Sequence, residues 1–137
     1  MTVLARWRRW YAGVRAGGVY GRALGRFYQR RYEDAAVLFE RAERLDPDHA
    51  RVHFNHALQG RCYCALGRNK DALELLSRAY GPYCDCAQRE SFDSHTKRDF
   101  VDFLDVFSHV LLRTGKADRA EQVALQASDF RRRRGIA

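Results

Sequence analysis

Three stretches of the chain obey one spacing rule. RRYEDAAVLFERAERLDP (30–47), GRNKDALELLSRAYGP (67–82) and GKADRAEQVALQA (115–127) each carry two alanines seven residues apart. The pairs are Ala35 and Ala42, Ala72 and Ala79, and Ala120 and Ala127. Seven residues are close to two helical turns, so each pair lies on one face of a helix. A large apolar residue, Phe39 or Leu76, stands four after the first alanine in two of the copies, and Gly67 and Gly115 stand five before it. Helices approach closely only where side chains are small. The spacing therefore predicts helices that pack tightly against a preceding partner, in units that bury their faces by stacking.

The rest of the chain fits that picture. Apolar positions recur at helical rather than alternating spacing, and there are only two prolines. The pattern predicts an all-α chain with helices over 2–16, 19–30, 32–45, 49–66, 69–80, 97–114 and 117–132. Gly17-Gly18 is expected to break the first helix from the second, and Gly81-Pro82 to stop the fifth. Residues 83–95 read as an irregular polar stretch.

With its small residues at helix crossings, turn glycines, large apolar plugs and the closing Pro47 and Pro82, the pattern resembles the tetratricopeptide repeat over about residues 18–132. The resemblance implies a short right-handed superhelical stack of about three helical hairpins, with an extra amphipathic helix before it. The organisation expected is a basic helix over 1–17, a repeat domain over 18–132 with an insertion at 83–96, and a basic tail over 133–137. The first hairpin departs from the pattern at its turn, where Arg30 stands in the glycine position.

In this family the first helix of each hairpin lines a groove that holds a peptide or helix of a protein partner. Carried onto this chain, the resemblance implies groove positions Tyr20, Leu24, Phe27 and Tyr28, then Phe54, Asn55 and Arg61, then Asp102, Asp105, His109 and Arg113. The last four form a polar stripe, with Phe100, Phe103, Leu104, Phe107 and Leu111 on the opposite, core-facing side. The lysines of the family's carboxylate-binding groove are missing, so no carboxylate clamp is implied. The function implied is a non-catalytic interaction module: an adaptor, chaperone or assembly factor. No cofactor is expected, and no phosphate-cradling glycine loop, HExxH or nucleophile elbow occurs.

Charge adds a second theme. Residues 1–31 carry eight arginines and no acid, residues 32–130 carry 13 basic and 17 acidic side chains, and 131–134 are four arginines. Basic ends suit an anionic surface. In the first helix Val3, Leu4, Trp7, Trp10, Tyr11 and Val14 share a face, among Arg6, Arg8, Arg9 and Arg15. Two readings stay open: a cap on the open end of the stack, or a membrane-interface helix. The candidate anionic-surface residues are Arg6, Trp7, Arg8, Arg9, Trp10 and Arg131, Arg132, Arg133 and Arg134. Nucleic acid is not the expected partner, because no nucleic-acid-binding motif accompanies the charge.

Without a secretory signal pattern, a reducing, cytoplasmic setting is expected, with peripheral attachment to a membrane as the alternative. The cysteines then read as thiols. Cys62 and Cys64 lie on a helix, and Cys84 and Cys86 in the expected loop, where they are the candidate pair for a metal- or redox-responsive site. His49, His53 and His56 follow helical spacing and read as surface or inter-helix packing residues.

Overall fold

The computed structural model describes residues 2–89 and 92–135. Among these residues six helices follow one another: α1 (Val3–Tyr28), α2 (Tyr32–Leu45), α3 (Val52–Ala65), α4 (Asn69–Arg89), α5 (Ser94–Arg113) and α6 (Ala117–Arg134). They pair as three hairpins, α1 with α2, α3 with α4 and α5 with α6, which stack in chain order through α2 on α3 and α4 on α5. The all-α hairpin stack expected from the sequence is the fold.

The repeated alanines do what their size allows. Ala35, Ala72, Ala79 and Ala127 are fully buried, and Ala42 and Ala120 nearly so, with Phe39 and Leu76 filling the joints. The crossing of α3 and α4 is tighter still. A Cβ on Gly60 would come within 2.6 Å of the Leu76 side chain.

The three intra-hairpin turns are the same turn. Arg31 N–H donates to Arg26 C=O, Arg68 N–H to Tyr63 C=O and Lys116 N–H to Leu111 C=O, each reaching back five residues. This is the Schellman closure, which needs a left-handed residue at its centre. Gly67 (φ 77°) and Gly115 (φ 82°) supply it in the second and third hairpins. Arg30 supplies it in the first at φ 60°. The glycine position is kept even where the glycine is not.

Two expected breaks do not occur. α1 runs unbroken through Gly17-Gly18, because Ala16, Val19, Ala23 and Phe27 are buried on one side and their packing outweighs the low helix propensity of glycine. α4 runs through Pro82 to Arg89. Pro82 and Arg78 are both exposed, so the proline sits on the outer side of α4, where water can replace the donor that the Arg78 carbonyl loses. Gly81 has no Cβ to clash with the proline ring. On the inner side Ala72, Leu76, Ala79, Tyr83 and Ala87 form one buried stripe across the proline. The expected insertion at 83–96 is thus mostly helix: its first half extends α4 and its end begins α5, while residues 90 and 91 lie outside the described residues. The expected tail at 133–137 likewise begins inside α6, and residues 136 and 137 lie outside the described residues. α3 starts at Val52, leaving His49 in the connection before it.

Candidate functional site

A cavity of about 430 Å³ opens between the inner helices. One wall is α1, through Gly13, Ala16, Gly17, Tyr20, Leu24 and Tyr28. The α2–α3 connection and α3 form the floor, with Asp46, His49, Val52, Phe54 and Asn55, and Tyr83 of α4 closes the back. The far wall is the first turns of α5, with His95, Thr96 and Asp99. First helices meet here because each alanine-bearing second helix packs behind its own partner and turns that partner's other side inward.

Polar contacts span this space. Tyr28 Oη lies 3.3 Å from His95 Nε2 across the mouth, joining the first hairpin to the third. Behind it, Arg61 donates to Asp99 at 2.7 Å, and Tyr83 Oη donates to the other oxygen of Asp99 at 3.2 Å. The Arg61 guanidinium also lies 4.9 Å from the centre of the Phe27 ring. A single cation thus touches α1, α3 and α5. On the floor, Asn55 Nδ2 donates to the Phe39 carbonyl at 3.0 Å, and Asn55 Oδ1 accepts from Gln59 at 2.6 Å. His56 pairs with Glu43 and ties α3 to α2.

Burial, reinforced by Asp99, pushes the Tyr20 hydroxyl up to about 12 and raises that of Tyr28 as well. Burial, then the Asp99 charge and hydrogen bond, raises Tyr83 further. All three are therefore neutral hydroxyls at physiological pH, able to donate. Burial also raises the Asp102 carboxyl, opposed by Arg61 and reinforced by Asp99. Apolar walls, neutral hydroxyls and carboxylates around one cleft are the chemistry of recognition: apolar anchoring with a few orienting polar groups.

Of the expected groove residues, Tyr20, Leu24, Tyr28, Phe54 and Asn55 line the cavity. Phe27 does not. It is buried against Phe39, Tyr32 and Arg61. Arg61 stands behind the lining rather than in it. Asp102, Asp105, His109 and Arg113 are exposed, as expected of their face, but they continue along α5 beyond the cavity. Asp105 is engaged by Arg131. Of the α5 residues that do line the cavity, His95 falls in the stretch read as irregular and Thr96 just after it, while Asp99 lies in the expected helix over 97–114 but was not placed in the groove. The signal available for them was Asp93, whose side chain accepts from the Thr96 N–H at 2.7 Å and marks the true start of α5.

The cysteine pair is a second correction. Cys84 and Cys86 lie on α4, not in a loop, so their side chains diverge by about 200°. Cys84 Sγ takes a hydrogen bond from Gln126, and Cys86 Sγ faces His53 Nε2 at 3.4 Å. They share no site. The C-terminal arginines are no free tail either. Arg131 to Arg134 are helical, Arg132 pairs with Asp129, and the Arg134 guanidinium lies 5.6 Å from the Phe130 ring centre.

Residues 26–79, from the last turn of α1 through the first half of α4, match the family model described as tetratricopeptide repeat. Repeats of this family are protein–protein interaction modules. No curated protein and no solved structure matches the chain.

Proposed function

We propose, for a chain whose residues 26–79 are tetratricopeptide repeat, that it is a non-catalytic interaction module holding a peptide or helical segment of a partner protein in the cleft between α1, α3 and α5. The observation that carries this is the cavity itself: about 430 Å³, walled by Tyr20, Leu24 and Phe54 and lined by residues of all three hairpins. A cleft of that size accepts two or three side chains of a bound segment. Glu43, Asp46 and Asp99 line it together with Arg51, and His56 and Arg61 already hold Glu43 and Asp99, so the cleft favours an apolar anchor flanked by hydrogen-bonding groups over a bare charge. The anchor would lie on Leu24 and Phe54, with Tyr28 and His95 as polar contacts.

Selection of peptides from a random library on the immobilised chain, followed by amide chemical-shift mapping, tests this. Selected peptides are expected to shift the amides of Tyr20, Leu24, Phe54 and Asp99. They are expected to bind the Leu24→Asp variant at least about tenfold more weakly, a loss of about 1.4 kcal/mol. The reading fails if the peptides map to another face or bind the variant as well as the parent.

A further inference from the structure

The first three turns of α1 stand clear of the stack. α1 has 26 residues and its hairpin partner α2 has 14. The surplus of 12 residues projects about 18 Å past the end of α2 at 1.5 Å per residue. Ala16 is the first buried residue of α1, and a Cβ on Gly13 would lie 3.6 Å from the side chain of Asp46, just past the end of α2. Before Ala16, Val3, Leu4, Trp7, Trp10, Tyr11 and Val14 are all exposed, Trp7 at 58% and Trp10 at 63%. Because α1 is continuous through Gly17-Gly18, this segment does not fold back as a lid on the first hairpin, and the capping role is not realised.

The direction of the exposed face follows from helical geometry. At about 100° per residue, those six side chains fall within a sector of about 120°. The residues that bind α1 to the body, Ala16, Val19, Ala23 and Phe27, are centred about 160° away from that sector. The aromatic face therefore points away from the stack, and the helix can lie flat on a surface without the body intervening. Arg6 borders the sector on one side and Arg8 and Arg15 on the other, within about 40° of its edges. Trp7 and Tyr11 stack at 5.6 Å, and Arg15 lies 6.0 Å from the Tyr11 ring centre.

We propose that this face of α1 docks on the interface of an anionic lipid bilayer, with Trp7 and Trp10 seated among the headgroups and Arg6, Arg8 and Arg15 on lipid phosphates. The charge decides among occupants. Residues 1–31 hold eight arginines and no acid, so a second copy laid against the same face would set arginine against arginine. Nucleic acid would satisfy the arginines and stack on the rings, but it offers no apolar phase for Val3, Leu4 and Val14. A bilayer interface meets both needs: aromatic rings at headgroup depth, aliphatic side chains below, and cations reaching the phosphates along their alkyl stems. No described helix is long and apolar enough to cross a membrane, so the attachment is interfacial. This inference is independent of the cleft between the hairpins.

Trp7 and Trp10 are the only tryptophans in the chain, so its tryptophan emission reports on this face alone. The test uses the full chain with vesicles of phosphatidylcholine, alone or with about a third phosphatidylglycerol. Expected is co-sedimentation with the anionic vesicles together with a blue shift of the emission. An Arg6→Gln/Arg8→Gln/Arg15→Gln variant, which keeps both tryptophans and the helical circular dichroism of the parent, is expected to partition about tenfold or more weakly. Three results would each overturn the proposal: no partition to anionic vesicles, vesicle binding with unchanged emission, or a blue shift that follows protein concentration or added oligonucleotide instead of lipid.

Discussion

Arg30 holds a backbone conformation that the other two hairpin turns give to glycine, and the side chain gains nothing visible from it. Its φ of 60° matches the turn geometry at Gly67 and Gly115, and its amide makes the same bond, to Phe27 C=O. A side chain in the left-handed region costs roughly 1–2 kcal/mol, part of which a glycine would return as unfolded-chain entropy. Arg30→Gly is therefore expected to stabilise the chain by about 0.5–1 kcal/mol, raising Tm by about 2–4 °C. A thermal melt of the two proteins checks this, and an unchanged or lowered Tm would mean that the arginine makes a contact worth as much as the strain. Asn55 illustrates the opposite case. It was legible as a groove residue and does line the cavity, yet its side chain is spent on Phe39 and Gln59 and holds the floor together.

At the level of whole elements, the second helices were readable because alanine spacing reports directly on a close crossing. The first helices were harder, because their faces serve the core on one side and the cleft on the other. Punctuation residues misled the reading most. Gly17-Gly18 and Gly81-Pro82 are breakers by propensity, but the buried stripes Ala16–Val19–Ala23 and Ala79–Tyr83–Ala87 continue through them, and tertiary burial decides. Truncating α4 at Gly81 hid the start of α5 and with it the far wall of the cleft. That start is set by Asp93, whose carboxylate caps the Thr96 amide and is held below its usual pKa first by that hydrogen bond. Since the folded value is the lower one, the carboxylate contributes stability above about pH 4 and the contribution fades as pH falls through the folded value. Asp93→Asn keeps a capping oxygen and removes the charge. Its Tm is expected to lie below that of the parent at neutral pH, with the gap closing on acidification below about pH 4. A gap that persists at low pH would show that the charge is not what Asp93 supplies.

Across the whole molecule, cohesion between the second and third hairpins is concentrated at one ring. Tyr83 is fully buried, and its ring centre lies 4.8–5.8 Å from those of Phe54 and His53 in α3 and 4.9–5.0 Å from those of Phe100 and Phe103 in α5. Its hydroxyl donates to Asp99, which Arg61 also holds. The cleft depends on the same joint, because its far wall is α5 and its near wall is α1. In a stack where each unit leans mainly on its neighbours, a lesion at one joint weakens the units beside it more than those beyond. Tyr83→Ala removes the ring and leaves a void among aromatic side chains, at an expected cost of about 3–5 kcal/mol. The loss should not be uniform. Amide hydrogen exchange is expected to accelerate most in α5 and α6, which lose their anchor to the stack. The α1–α2 hairpin, joined to α3 through Asn55 and the His56–Glu43 pair, should keep more of its protection. If exchange instead rises equally in all six helices, the chain unfolds as a single cooperative unit and the cleft cannot open by release of its third hairpin alone.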